Sequence, residues 1–301
     1  MSVEGFRQSL LAAGLLIDGG SPGVYHRSFS FESIVSGLEV YISSVAADEE
    51  RRQFQFSPLI ASSALVRSDY LALHPDLIGM ISSYAGREAD LPSLLAKVAA
   101  GEEWSELLSP TDLALCGAAC HNLYPLLADA ALAADSLLYE VQAVCFRHEP
   151  SNDPSRMQSF RMREFVYVGS ESGALAHREQ WLHRGTELMR RLGLSVDVVV
   201  ANDPFFGRGG LLIGAGQREK ERKFEMVTSI TSESPGAIGS ANYHEDHFGR
   251  VYNISLSDAS VAHAACVGFG LERITLALLH QHGLDVDLWP AVVRDRVFSA
   301  R

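Results

Sequence analysis

An apolar stretch, residues 139–146, runs directly into Arg147-His148-Glu149. A loop rich in Pro, Ser, Asn and Asp follows, and the chain returns through Arg161-Met162-Arg163-Glu164-Phe165. Two extended segments joined by so polar a connection read as a hairpin, with an Arg-x-Glu at the end of its first strand. More than a hundred residues later, Gly268-Phe269-Gly270-Leu271-Glu272-Arg273 leads into an apolar helix. Guanidinium groups are planar, permanently charged and able to grip phosphate oxygens in a bidentate way. Fixed at the ends of a strand and a helix, they suit a reaction in which charge builds on phosphorus. The competing use of these residues is structural, with Arg147 and Glu149 as a cross-strand surface pair and Arg273 solvated.

The rest of the chain mixes helices and extended segments with little βαβ alternation. Residues 30–48 read as an amphipathic helix, and 54–58 begin an extended segment leading to a helix near 62–71. Helix and polar loop share 85–104, and 114–139 is apolar, Ala-rich and broken by Pro125. Strands are expected at 139–146, 163–169, 195–201 and 211–213, with a helix at 175–191 between the second and third. Two further strands at 223–230 and 250–256 precede a final helix at 271–280. Hairpins packed with helices argue an α+β fold with a largely antiparallel sheet, organised as one domain over residues 1–301 with a helical N-terminal region.

Charge narrows the function. With a net charge of −12, 37 acidic residues outweigh 25 basic ones. The densest positive run, residues 218–223, sets four cations against Glu219 and Glu221. Capturing a structured polyanion requires clustered Lys and Arg, so tRNA is not an expected partner. The apolar run 9–17 follows Arg7, but Glu4 precedes it and Asp18-Gly19-Gly20 ends it, which fits a short helix stopped by glycines better than a targeting signal. No uncharged apolar run reaches the roughly 18 residues of a membrane span. The four cysteines, Cys116, Cys120, Cys145 and Cys266, lack the paired short spacing of disulfide-rich secreted chains. A cytoplasmic protein is expected.

The Arg147 hairpin resembles motif 2 of class II aminoacyl-tRNA synthetases, and the Gly-x-Gly-x-x-Arg helix resembles their motif 3. The wider chain resembles the truncated seryl-tRNA-synthetase homologues known as amino acid:carrier-protein ligases. The runs that carry this are Asp69-Tyr70-Leu71-Ala72-Leu73-His74-Pro75-Asp76-Leu77-Ile78-Gly79, Ala119-Cys120-His121-Asn122-Leu123-Tyr124-Pro125, Asn202-Asp203-Pro204-Phe205-Phe206-Gly207-Arg208, Lys223-Phe224-Glu225, and Ser240-Ala241-Asn242-Tyr243-His244 through Phe248-Gly249. The resemblance implies a class II catalytic domain that activates glycine or alanine with ATP and Mg²⁺ as an adenylate. The acyl group then passes to the phosphopantetheine thiol of a carrier protein. It also implies a homodimer without a tRNA-binding arm.

Residue roles follow from the same resemblance. Arg147 would hold the α-phosphate and Arg273 the γ-phosphate. Phe165 would stack on adenine, Glu149 would lie on the adenine side, and Arg161 completes the ATP set. Glu225, Ser240 and Asn242 would contact the amino acid. Cys120, Glu164 and Cys266 would hold a Zn²⁺ ion, three protein ligands leaving a fourth position for the substrate amino group. Read without the family, Cys120 and Cys266 sit in apolar segments where a free cysteine is ordinarily a small buried hydrophobe. Cys116 and Cys145 are read as core. His244-Glu245-Asp246-His247 is one residue short of a zinc-helix motif, and the glycines at 207–216 fit no dinucleotide or P-loop pattern. Ala237 stands where bacterial seryl enzymes have a glutamate near the magnesium, so the Mg²⁺ ligand is left unassigned. The carrier is expected to dock on the helical region before Cys120 together with the basic turn 218–223. The alternatives are an aminoacyl-tRNA synthetase or editing relative, and a non-catalytic paralogue that only binds.

Overall fold

The computed structural model of the chain describes residues 1–134, 136–202, 221–231 and 235–298. Twelve strands are found among them: β1 (Leu16–Asp18), β2 (Tyr25–Arg27), β3 (Arg52–Gln55), β4 (Leu59–Ala61), β5 (Met80–Tyr84), β6 (Leu108–Leu115), β7 (Ser136–Phe146), β8 (Ser159–Gly169), β9 (Asp197–Ala201), β10 (Lys223–Ser229), β11 (Pro235–Tyr243) and β12 (His263–Gly270). Seven of them form the main sheet in the order β3-β7-β8-β12-β11-β10-β9. Every neighbouring pair is antiparallel except β3 with β7. A three-stranded sheet, β4-β6-β5, and the β1-β2 pair stand apart from it. The α+β expectation is met.

Three helices cover one face of the main sheet. Phe29–Ser44 starts at Ser28, whose hydroxyl accepts the Phe31 N–H at 3.2 Å, and it buries Phe31, Ile34, Val35, Leu38 and Ile42 along one stripe. Glu171–Arg191 is capped by Ser170 and stacks Trp181 on Phe165 of β8, ring centroids 3.6 Å apart. A side chain at Gly185 of this helix would come within 2.9 Å of the Phe269 ring, so the glycine lets the helix lie flat on the sheet. Leu271–His282 is buried along most of its length. Together with the odd-numbered residues Phe165, Val267 and Phe269 these helices form the largest apolar core. Each fully buried large side chain of this kind stabilises the fold by about 2 kcal/mol. The opposite face carries a second core around Tyr124, Val141, Val166 and Phe248.

Several expectations are corrected. Residues 250–256 are not a strand: a helix, His247–Tyr252, ends at Asn253 in the left-handed region (φ 54°). Phe248 and Tyr252, four residues apart, both bury against Tyr124, and a short apolar run does not separate that spacing from strand alternation. β11 and β12 were not expected as strands, because β12 is buried on both faces and shows a continuous apolar run without alternation. The N-terminal helix lies at Val3–Ala12, and Leu16–Asp18 is extended. The strand expected at 211–213, residues 203–208 of the resemblance run and residues 218–220 of the basic turn lie outside the described residues. No described helix is long and apolar enough to cross a membrane.

Candidate active site

Side chains alternate along a strand, and β8 sorts its own residues accordingly. Phe160, Met162 and Glu164 line a cavity of about 360 Å³ on the sheet face away from the three helices. In register across the sheet, Glu225 of β10 pairs with Ser240 of β11, Ser240 with Gly268 of β12, and Gly268 with Glu164. Gly268 leaves an open lane between Ser240 and Glu164, since a methyl there would stand 3.2 Å from Glu164 Cγ. Arg147, Glu149, Arg273, Cys120, Asn242 and Cys266 line the same cavity.

One end of the cavity is cationic. Arg147 Nε donates to the Gly117 carbonyl at 3.2 Å, which sets the guanidinium 5.5 Å from the Phe160 ring centroid. Arg273 Nε donates to the Ser155 carbonyl at 2.8 Å and its Nη1 to the Ala237 carbonyl at 3.1 Å. Burial pushes the Arg273 pKa down, and the nearby charges of Arg147 and Arg156 push it further. Like charges held together in a cavity favour a polyanion that compensates them, as a nucleotide polyphosphate would. Glu149 accepts from Arg156 at 3.0 Å at the rim.

The other end is a buried donor cluster. Ligand atoms of Cys120, Glu164 and Cys266 all lie within 4.8 Å of one another, and these residues are 4%, 2% and 3% exposed. Glu164 Oε1 accepts the backbone N–H groups of Ala119 at 2.8 Å and Cys120 at 3.3 Å. Burial, then the neighbouring Cys266, raises its pKa to about 7. The Cys266 thiol is held well below its ordinary value, first by Cys120 and also by His244 and Asn242. Its sulfur lies 3.2 Å from His244 Nε2 and 3.7 Å from Asn242 Nδ2. Two thiols and a carboxylate in a dry niche fit a tetrahedral Zn²⁺ site with one open position. Cys116 and Cys145 are both fully buried, as expected.

Two expected ATP ligands are placed elsewhere. Phe165 is 1% exposed and its ring is sandwiched into the helix-side core against Trp181, so it does not reach the cavity. Arg161 also points to the helix side, where it pairs with Glu32 and Glu272. Both follow from strand alternation: a strand that presents Glu164 to the cavity turns Arg161 and Phe165 away. The aromatic ring the cavity offers beside Arg147 is Phe160, which that alternation could have supplied from the sequence. Glu225 lines the cavity and pairs with Lys223 at 3.2 Å. Ser240 and Asn242 line it too, Asn242 donating to Ser240 Oγ at 3.2 Å.

No family model matches the chain. It is similar to amino acid–acyl-carrier-protein ligase 2 of Bradyrhizobium diazoefficiens, 42% identical over 95% of the chain and 86% of that protein. Ligase 1 of the same organism is 39% identical over 95% of the chain and 88% of that protein. Type-2 serine–tRNA ligase of Methanopyrus kandleri is 27% identical over 64% of the chain and 39% of that protein. In structure, the chain matches M. kandleri SerRS in complex with A. aeolicus tRNASec with a TM-score of 0.81 at 20% identity. That match covers 98% of the chain and 60% of the solved one, and it places the fold among the class II aminoacyl-tRNA synthetases.

Proposed function

Since the chain belongs to the family of amino acid–acyl-carrier-protein ligases and is a ligase, we propose that it activates glycine or alanine with Mg·ATP and transfers the acyl group to the phosphopantetheine thiol of a carrier protein. The observation that carries this reading is the shape of one cavity, with Arg147 and Arg273 at one end and Cys120, Glu164 and Cys266 at the other. A nucleotide and a small zwitterion laid end to end match those two environments.

In the first step a carboxylate oxygen of the amino acid bonds to the α-phosphorus while the bond to the bridging oxygen breaks, and pyrophosphate leaves. Arg147 meets the charge on the α-phosphate and Arg273 that on the departing phosphates. Both are preorganised by carbonyl acceptors, so little rearrangement accompanies the charge build-up. Phe160, beside Arg147, is the ring offered to adenine, with Glu149 close by. Zn²⁺ held by Cys120, Glu164 and Cys266 would supply a Lewis-acid position for the substrate amino group. Glu225, Ser240 and Asn242 line the lane beside it. In the second step the carrier's sulfur bonds to the acyl carbon, its proton is lost, and AMP leaves with the electron pair. A single catalytic domain, acting as a cytoplasmic homodimer without tRNA, completes the reading.

The test is pyrophosphate exchange across the twenty amino acids, followed by incubation with labelled amino acid and either a holo-carrier, an apo-carrier or total tRNA. Exchange restricted to small amino acids and hydroxylamine-labile label on the holo-carrier are expected. Arg147→Ala and Arg273→Ala should each lower exchange by about 100-fold, the worth of one preorganised donor. Label on tRNA alone returns the chain to the synthetases, and no exchange with any amino acid removes the activation step.

A further inference from the structure

The β1-β2 hairpin stands apart from the main sheet, yet its turn rests on the loop 147–158 that joins β7 to β8. Gln158 donates its backbone N–H to the Gly23 carbonyl at 2.9 Å and its Nε2–H to the Pro22 carbonyl at 2.8 Å. Gly23 has φ 77°, and a side chain there would stand 3.0 Å from Gln158 Cγ and 3.1 Å from the Arg156 carbonyl, so both the turn and the close approach call for glycine. A second tie comes from Tyr25. Its ring belongs to the largest apolar core, and its hydroxyl donates to the Asn152 carbonyl at 2.9 Å. The same oxygen accepts the Nε–H of Arg7 at 3.0 Å, while Arg7 Nη2 reaches Asp18 at 2.5 Å. A cationic donor on a phenol oxygen polarises the O–H and strengthens the bond it gives. The helix Val3–Ala12, both strands of the hairpin and the loop thus meet at one hydroxyl.

What the loop supports gives this tie its consequence. The Gln158 carbonyl accepts the backbone N–H of Arg147 at 2.9 Å, and the Ser155 carbonyl, three residues beyond Asn152, accepts Arg273 Nε–H at 2.8 Å. Both arginines at the cationic end of the cavity therefore lean on loop residues, and the hairpin holds that loop on either side of its turn Pro154–Arg156. Pro154 and Ser155 themselves line the cavity. Cys120, Glu164 and Cys266 come from the turn Ala119–Asn122, β8 and β12, outside the loop. A shift of the loop would disturb one end of the cavity and spare the other.

We propose that Tyr25 is a positioning residue for the nucleotide, its hydroxyl clamping the loop 147–158 from the N-terminal hairpin so that Arg147 and Arg273 stand ready for the phosphates. The inference rests on the ATP reading above. Holding charged groups in place before the substrate arrives spares the binding step the cost of ordering them.

The experiment compares the full-length wild type with Tyr25→Phe, which keeps the ring in the core and removes only the hydroxyl. A cavity of about 220 Å³ beside Arg7, Tyr25 and Asn152 lets water reach the two groups left behind, so the urea midpoint should barely move. In pyrophosphate exchange the KM for ATP should rise about 3- to 10-fold, the worth of one net hydrogen bond, while the KM for the amino acid stays as in wild type. Hydrogen–deuterium exchange should quicken in peptides spanning 149–158 and remain unchanged elsewhere. Unchanged loop exchange with an unchanged KM for ATP overturns the role of Tyr25 and leaves the nucleotide reading intact. A lowered urea midpoint with both KM values rising together makes Tyr25 a packing residue and also overturns it. A wild type that binds no ATP in equilibrium titration overturns the nucleotide reading itself, and the clamp's purpose with it.

Discussion

Glu272 accepts both the backbone N–H and the Nε–H of Arg161, at 2.7 and 2.8 Å, and so joins β8 to the first turn of the helix that carries Arg273. The other two nitrogens of Arg161 grip Glu32 at 2.7 and 3.0 Å, bringing in the helix Phe29–Ser44. Glu32 also accepts from Arg27 at 2.6 Å. A fork binding two carboxylates on two helices is a task for which lysine lacks the geometry. Glu272 is 1% exposed, so Arg161 meets it away from solvent.

Arg161→Ala should therefore act as a stability mutation. Removing Arg161 strips buried Glu272 of its hydrogen-bonded cation and leaves Arg27, 3.8 Å away, as its remaining positive neighbour, a loss of at most about 3–5 kcal/mol. Arg161→Lys should recover only part of it. Urea unfolding is the measurement. If Arg161 instead served ATP, the alanine variant would unfold like wild type and raise the KM for ATP alone.

Metal analysis of cysteine variants addresses the donor cluster. The wild type should hold about one Zn²⁺ per chain, with Cys120→Ser and Cys266→Ser losing both the ion and amino-acid activation, because the thiolates anchor it. Cys116→Ser, at a position fully buried outside the cluster, should keep it. Stoichiometric Zn²⁺ surviving in both Cys120→Ser and Cys266→Ser would mean other ligands.

Much of the fold and of the cationic end of the cavity was legible because chemistry and order suffice for them: Arg147 after an apolar strand, Arg273 in the first turn of a helix, and a polar hairpin between β7 and β8. What escaped was facing. Glu164 and Phe165 are neighbours on one strand and cannot share a cavity, yet motif matching gave both a site role. β12, buried on both sides, lacks the alternation that would have marked it as a strand. His244 acquires its place beside Cys266 only through tertiary packing, which leaves no local signal.

The same alternation separates the two phenylalanines experimentally. Phe160→Ala should raise the KM for ATP several-fold with little loss of stability, since its ring faces the cavity beside Arg147. Phe165→Ala empties a space under Trp181 and should cost about 3–5 kcal/mol. Parallel kinetics and urea titrations decide. A Phe165 variant with native stability and impaired ATP binding would restore the adenine role to that ring.

The Phe165 carbonyl accepts from a histidine whose burial sets up a pH dependence. It lies 3.1 Å from Nε2 of His177, and because a carbonyl can only accept, Nε2 carries the proton. His177 is 5% exposed, and burial lowers its pKa from 6.5 to about 4. Between pH 6.5 and about 4 the unfolded chain binds a proton at this residue that the native state refuses, so stability rises with pH across that window and is lost as pH falls through it. A shift of this size corresponds to at most about 3 kcal/mol. His177→Gln retains an N–H donor but does not titrate. The difference in unfolding free energy between wild type and variant should therefore be flat above pH 7. It should narrow or reverse by a few kcal/mol as pH falls to 4, with wild type losing more. Carboxylates shared by both proteins cancel in that difference. A difference that stays constant from pH 7 to 4 would mean that His177 titrates normally and is open to water.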